Sequence, residues 1–375
     1  MNFMRINLIN FPFFSRKDVF LIFILFALNN STFAQNSSVK FQVVDALNGR
    51  LTPARLTVLK EGLPYEVEVD SKLQIASREN TIYTSSGTGE LTLPYGKYEF
   101  WFGKGMEYSV DIKQVNIQSD STLFISAILA KEINTDGFVG GDMHLHTLTN
   151  SGHGDANLAE RIISCTAEGL DWAVATDHNF ITDYEPYMKE IGIFGLMKTT
   201  IGNEVTTPIG HFNTFPLAAI SKPVDSKIKN GNVLFENIRS ASKNDVVIQI
   251  NHPRWVAADY FNTKGLDIYF GNVVKDEEWS WDFDTYEVLN ENYQLGWTTA
   301  PNNLQSVKRD WFNMMSRGIR KTGIGNSDSH TVVSAIAGVP RSYILSSSDV
   351  PNEIDDKELV KNIQCSLSGS MCFSA

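Results

Sequence analysis

Between Val39 and Ile128, apolar and polar residues alternate in short runs: VKFQVVDA, ARLTVLK, GELTLPYG, KYEFWFG, EYSVDIKQVNI and STLFISAIL. Such period-two runs, rich in β-branched and aromatic residues and separated by turn clusters such as Asn48-Gly49 and Ser85-Ser86-Gly87, predict strands. No helical stretch interrupts them, so a small β-sandwich is expected over 36–132. The periodicity then changes. NLAERIISCTAE, from Asn157 to Glu168, puts Leu158, Ile162 and Cys165 on one stripe, with Asp155 or Asn157 as its cap and Gly169 as its stop. DWAVATDH follows as a buried strand. Val233 to Ala241 and Gln305 to Arg317 read as further helices, each followed by a strand, VVIQIN and KTGIGNSDSH. Strands alternating with helices over 133–348 predict an α/β unit, a parallel sheet or barrel with ligands at the strand C-terminal ends. In 349–375, DDKELVKNIQ reads as an amphipathic helix, and CSLSGSMCFSA after it carries no pattern.

The first 34 residues change the picture of where the chain works. Arg16 and Lys17 precede the apolar run VFLIFILFAL, and small residues at Thr32 and Ala34 suit cleavage before Gln35. Residues 1–34 are therefore expected to be a signal peptide, with the product exported to the periplasm or the exterior. The run is short of the ~20 apolar residues that span a bilayer, so stable membrane insertion after cleavage is not expected; a retained single anchor is the alternative. The chain carries a formal charge of −11, and the leader contributes +2, leaving the remainder near −13 (−11 less +2). An acidic body repels a phosphate backbone, and no Lys/Arg block offsets it, so nucleic acid is not an expected partner. The three cysteines form no disulfide framework. Cys165 is expected as a buried small hydrophobe, while Cys365 and Cys372 are near enough to the end to pair after export.

Candidate chemistry is concentrated. All seven histidines lie between His144 and His330, nearly all beside Asp, Asn or Gly where a predicted strand ends. Imidazole is the commonest protein metal ligand. His144-x-His146 on extended backbone points both rings to one side, able to chelate one ion, and Asp328-x-His330 repeats that geometry with a carboxylate. Either pair alone also suits a hydrogen-bonded surface turn. Glu204, His178 and His252 at further strand ends make chance a poor account of the set.

The segments GDMHLHT, GLDWAVATDHN, GNEVTT with GHFN, NHPR and GNSDSH, in this order, resemble the motifs of the PHP (polymerase and histidinol phosphatase) metallohydrolase superfamily. The front part, with GELTLPYGKYEFWFGKGMEYSV, resembles the branch that includes bacterial carbaryl hydrolases. The resemblance covers roughly Val39 to Ser346. It implies a distorted seven-stranded (β/α) barrel holding two or three divalent ions, and hydrolysis of a phosphoester, or of a carbamate or related ester. Position by position, it implies His144, His146, Glu204 and Asp328 as ligands of the first ions, with Glu204 bridging. His178, His211, His252 and His330 match the remaining ligands. Where relatives often carry Asp in a Ser-Asp-Gly turn, this chain has SGHGD, so His153 is the better-spaced ligand and Asp155 the alternative. Asp142 and Asp177 either orient neighbouring imidazoles or cap loop amides. Asp328 is implied to orient or deprotonate the attacking water, with Glu204 beside it in the catalytic set. Nitrogen and oxygen ligands without thiolates suit Zn²⁺, Mn²⁺ or Fe²⁺.

Arg254, after His252-Pro253, is expected to aim a guanidinium at an anionic group beside the metals, and Arg341 is a second candidate; a salt bridge is the plain alternative for each. Trp255, Tyr260, Trp279 and Trp281 lie in a long insertion that either shapes a substrate pocket or packs the loop. Glu287 and Asn290 end another strand, as structural hydrogen-bond partners or substrate contacts. Three functions stay open for a small-molecule substrate: phosphoester hydrolysis, carbamate, ester or amide hydrolysis, and a non-catalytic glycan- or surface-binding protein. Relatives often continue into further β-structure where this chain stops, so a truncated or frame-altered end is expected.

Overall fold

The computed structural model describes residues 35–69, 73–242, 246–255, 259–267, 272–274, 276–290, 307–365 and 373–374. The leader, the first two residues of the expected 305–317 helix, and Cys372 lie outside them. Among the described residues no helix is long and apolar enough to cross a membrane.

The alternating runs fold as expected. Strands β1 (Asn36–Asp45), β2 (Ala54–Lys60), β3 (Leu63–Pro64), β4 (Ile75–Arg78), β5 (Thr81–Thr84), β6 (Thr88–Pro94), β7 (Gly96–Gly103), β8 (Asp111–Ile117) and β9 (Leu123–Leu129) form two sheets. One has the order β6-β1-β9, the other β4-β5-β2-β7-β8 with β3 on β2. Inward-facing Val39, Phe41 and Val43 meet Leu56, Val58, Phe100 and Phe102 in one core, leaving alternate residues to solvent. β4 and β5 were not expected. They are four-residue strands, and all of β5 is buried because the Leu158–Ala167 helix covers its second face. Tyr83 and Ala76 thus share a core with Ile162, Ile163 and Cys165.

The second half contains β10 (Phe138–Leu145), β11 (Trp172–Ala175), β12 (Lys198–Ile201), β13 (Asn203–Thr207), β14 (Gly210–Phe215), β15 (Val247–Ile250), β16 (Thr285–Asn290), β17 (Thr322–Asn326), β18 (Ser342–Leu345) and β19 (Phe373–Ser374). Instead of one closed seven-stranded barrel, the described strands make two five-stranded sheets, β12-β11-β10-β18-β19 and β13-β14-β15-β16-β17. Two departures from a parallel repeat explain this: β13 and β14 form an antiparallel hairpin, and antiparallel β18 lies beside β10. Gly202 carries the chain from one sheet to the other, where a Cβ would sit 2.8 Å from the Ala175 carbonyl. The sheets meet through isolated bridges, Leu145 with Ser329 and His178 with Glu204, over a shared core of Met143, Val174, Phe215, Val247 and Ile324. Helices pack outside. Asn157 and Glu160 form a reciprocal capping box on the Leu158–Ala167 helix, and Asn230 caps Gly231–Ala241. The others expected span Val307–Ser316 and Asp356–Cys365. Parallel strands β10, β11, β15 and β17 end on one side, which gathers the histidine-bearing turns.

The two halves also meet through polar groups. Arg55 pairs with buried Glu168 at 2.6 Å, and Glu107 accepts from Tyr343 at 3.0 Å. Beside them, within the second half, Asp171 accepts the Gly140 amide at 2.8 Å. Burial pushes the Asp171 carboxyl up to about 6; the Gly140 amide, Lys131 and Arg341 oppose the rise and Glu107 adds to it. A folded-state pKa raised above the unfolded 3.8 gives a contribution complete below that value and lost as pH climbs through about 6. Asp171→Asn should therefore raise Tm at pH 8 by about 1–2 °C for each kcal/mol regained and leave it unchanged near pH 4. Thermal melts at the two pH values check this; equal shifts at both would contradict it.

Candidate metal centre

The ends of β10, β11, β15 and β17, with the β13–β14 hairpin, bring the histidines together. His144, His146 and Glu204 are all 0 % exposed. Burying so many ionisable groups together is costly unless each is paired, and the pairing defines the site.

Glu204 sits at its middle. Its Oε1 lies 3.2 Å from His144 Nε2, 3.2 Å from His211 Nδ1 and 3.9 Å from His252 Nε2, and accepts from Asn251 Nδ2 at 2.8 Å. Its other oxygen touches His178 Nδ1 and accepts from Thr206 Oγ1 at 3.0 Å. Asp328 Oδ1 lies 3.2 Å from His144 Nε2 and 3.1 Å from His146 Nε2. Burial alone drives both carboxyls up; the surrounding imidazoles outweigh it and hold both far below the usual carboxylate range. Both are thus ionised and able to hold cations.

The hydrogen-bond network assigns the imidazole tautomers. His144 Nδ1 is 2.7 Å from Glu287 Oε1, an acceptor, so Nδ1 carries the proton and Nε2 faces the cluster. His146 Nδ1 lies 3.2 Å from Ser151 Oγ, whose one proton goes to Asp177 at 2.7 Å. Ser151 must therefore accept from His146, again leaving Nε2 bare. His330 Nδ1 donates to the Asp328 carbonyl at 2.8 Å, and its Nε2 stands 3.5 Å from His178 Nε2. Burial lowers His146 and His252, and takes His330 down to about 4. For His144 burial acts the same way, but Asp328 and Glu287 outweigh it and raise its pKa well above normal. That pocket favours a positive charge, which a proton or a metal ion can supply.

The donor set fits divalent ions. Of the buried ring nitrogens, His252 Nδ1 has no hydrogen-bond partner, and His146 Nε2 and His211 Nδ1 face carboxylate oxygens 3.1 and 3.2 Å away without the geometry of a hydrogen bond. Donor atoms approach within 4.8 Å of one another in four overlapping groups: His146, His178 and His330; His144, His252 and Asp328; His144, His146 and Glu204; His178, Glu204 and His211. His252 (φ 26°) and Asp328 (φ 51°) hold left-handed backbone, strain of the kind that clusters at functional sites.

Several expected site residues sit elsewhere. Arg254 does not reach the cluster: its buried guanidinium pairs with Asp310 at 2.7 Å twice and donates to Asn262 and to the Leu266 carbonyl. Arg341 is spent on the carbonyls of Gly338, Gly169 and Glu168. Asp155 accepts the Val332 amide at 2.7 Å and stands 3.9 Å from Arg78, outside the four donor groups. His153 belongs to no group either, but its ring lies 4.5 Å from that of His330 and 4.8 Å from that of His178, at the rim. Asp142 touches no imidazole; it holds the amides of His144, Ser327 and Gly338. Asp177 acts on His146 only through Ser151, and otherwise binds Thr147 and Thr182. Tyr260 and Trp279 stack in the core, and Trp281 packs against Trp279. Trp255 differs: 44 % exposed, its ring meets His252 edge-on at 5.2 Å.

The structure adds residues that the sequence reading passed over. Asn251 joins Glu204 to Asn213, and Asn326 donates to Glu287 at 3.1 Å while accepting the Met143 amide. The signal available was adjacency: Asn251 precedes His252, Asn213 follows His211 by two, and Asn326 precedes Asp328 by two. Glu287, expected as a hydrogen-bond partner or substrate contact, is a hub, reaching His144, the His252 amide and Asn290.

No family model matches the chain, and no curated protein matches it. Solved structures do show likeness. One is a two-domain protein containing a predicted PHP-like metal-dependent phosphoesterase from Bacteroides vulgatus (16% identity, 65% of this chain and 66% of that one, TM-score 0.41). Another is a lesion-specific endonuclease from Pyrococcus furiosus (14%, 60% and 56%, TM-score 0.42). A third is the minor pilin of Streptococcus agalactiae (13%, 27% and 46%, TM-score 0.22). The chain therefore spans less than two thirds of the length of each. These identities and TM-scores are too low to transfer a function, which has to come from the side chains.

The Arg254 geometry has a measurable consequence. Arg254→Ala should cost about 3–5 kcal/mol, because it strands Asp310 in the core. Metal uptake per folded molecule should not change. Chemical unfolding together with metal analysis checks this; lost uptake at unchanged stability would return Arg254 to the site.

Proposed function

We propose that this chain is a metal-dependent hydrolase of the PHP type acting on a small-molecule ester. The observation that carries the reading is the four overlapping donor groups around buried, ionised Glu204 and Asp328, with imidazole lone pairs turned inward. Two or three divalent ions, Zn, Mn or Fe, would lower the pKa of water toward ~7 there and polarise the substrate oxygen. The chain's own residues prepare the site. Glu204 contacts rings from both sheets, so it is the natural bridging carboxylate. Asp328 keeps Oδ1 toward His144 and His146, while Oδ2 lies 3.5 Å from Asn290, available to orient a water. Glu287 and Ser151 hold two rings in the tautomer that presents a lone pair.

For the bond, phosphoester hydrolysis remains the first reading. A second, hydrolysis of a carbamate or related ester as in the carbaryl hydrolase branch, is favoured by two observations. The guanidinium expected to clamp a phosphate is buried against Asp310, and the half-exposed indole of Trp255 stands beside His252. We further propose that the chain works outside the cytoplasm once residues 1–34 are removed.

Metal analysis and turnover of p-nitrophenyl phosphate, its bis-ester and an aryl carbamate test the proposal. At least two ions per chain are expected. Glu204→Ala and His178→Ala should each lose metal and lower turnover of the active ester by about 10²-fold or more, as for loss of a group stabilising developing charge. Trp255→Ala should raise KM for an aryl ester about tenfold, roughly 1.4 kcal/mol of lost contact. A chain that takes up no metal after reconstitution would instead be a binding scaffold.

A further inference from the structure

Arg161 lies in the Leu158–Ala167 helix, fully buried, and touches none of the donor atoms of the metal centre. Its Nε donates to the His146 carbonyl at 2.8 Å, and Nη2 donates to the carbonyls of Ser329 at 2.9 Å and Thr331 at 3.2 Å. The remaining bond, from Nη1 to Ser164 Oγ, is long at 3.5 Å. A buried guanidinium bonded mainly to main-chain carbonyls is costly to keep for packing alone. Its targets explain it. His146 is a candidate ligand at the end of β10, and Ser329 and Thr331 flank His330 beyond β17, so one side chain grips the backbone of both ligand-bearing turns.

Those turns lie on different sheets. At this point the sheets are joined by the isolated Leu145–Ser329 bridge and the His146 amide to the Ser329 carbonyl at 3.1 Å. The Ser329 carbonyl thus accepts from both His146 and Arg161, using both lone pairs. Across this seam His146 meets Asp328 at 3.1 Å and the His330 ring at 4.0 Å. Metal ligands tolerate displacements of only ~0.2 Å, so a seam that opens slightly spoils the donor set.

We propose that Arg161 is a positioning residue that sets the spacing of His146 against Asp328 and His330, and so the affinity of the site for its ions. This rests on the metal-centre reading above. A planar, forked donor suits three carbonyls in two turns; an ammonium at the same place cannot reach all three.

The test uses the full chain and Zn²⁺ alone, with affinity read by competition against a chromophoric chelator and stability by thermal melting of the metal-free protein. Arg161→Lys should weaken zinc binding about 10- to 100-fold, the usual effect of losing an outer-shell partner. Arg161→Gln, which keeps an amide donor toward the His146 carbonyl but loses the Ser329 and Thr331 carbonyls across the seam, serves as the second variant and should weaken zinc at least as much as Lys. Ile163→Val, on the same helix, loosens the helix packing without touching the seam and should bind zinc as wild type does. Wild-type affinity in folded Arg161→Lys and Arg161→Gln overturns the positioning role and leaves the metal centre standing. The same is true if Ile163→Val weakens zinc as much as they do. A wild-type chain that takes up no zinc overturns the metal centre and this inference with it.

Discussion

Two carboxylates, Glu204 and Asp328, are buried against a ring of imidazoles, and everything around them answers the charge they bring. Removing a carboxylate from water costs several kcal/mol even after relaxation. At Glu204, electrostatic attraction to His211 and close polar contacts with His144, His178 and His211 repay part of that, and at Asp328 attraction to His144, His146 and His252 with a close polar contact from His146 does the same. A ring whose N–H is turned away from the carboxylates, as at His146, can add to this only as a cation or as a ligand of one. Burial drives His146, His252 and His330 toward the neutral form, so protons cannot occupy all the rings at once. A cluster of this composition has its charges balanced most simply by divalent ions, and the inward lone pairs set by Glu287, Ser151 and the Asp328 carbonyl fit that solution.

The fold follows from the need to hold those groups. Strand ends are the places where a side chain can leave the core without breaking the ladder, and each residue of the four donor groups lies in or just after β10, β11, β13, β14, β15 or β17. Behind them lies a fully buried amide layer, Asn213, Asn251, Asn326 and Gln249, each bonded to a ligand, to Glu287 or to another amide. Such a layer fixes geometry only if every member is satisfied. The partnerless Gln249 Oε1 is the exception on the carbonyl side.

Much of this was legible in the sequence because the signals are local. Alternation gave β1, β2, β6, β7, β8 and β9, the Asn157 cap marked its helix within a residue, and the crowding of histidines at strand ends marked where chemistry belongs. What depends on distant pairing was not legible. Whether strands close into one barrel or lie in two sheets is decided by hydrogen bonds between residues more than a hundred apart, such as Gly141 with Ser342. β5 reads poorly as a strand because its burial comes from a helix far along the chain. Arg254 misled through adjacency. It follows His252 by two, but the left-handed turn at His252 sends it toward Asp310 instead of the histidines. Its neighbour Trp255 is the residue that stays beside the ring.

The front sandwich then acquires a physical role that its lack of histidines conceals. Arg55 and Tyr83 lie at the end of the Leu158–Ala167 helix, by Glu168. Arg78 holds the other end, bonding Glu160 at 2.8 Å and the Asp155 carbonyl at 2.8 Å. Asp155 in turn fixes the Val332 amide with its carboxylate, and its own amide donates to the His330 carbonyl at 3.0 Å. Two arginines of the sandwich therefore brace both ends of the helix that carries Arg161, and one of them lies a single residue from the backbone of His330. These contacts oppose sliding of the helix along its axis, and so favour keeping the Arg161 guanidinium on the three carbonyls it binds. The sandwich is in that sense part of the support of the candidate metal centre: its contacts end where the seam between the two sheets begins.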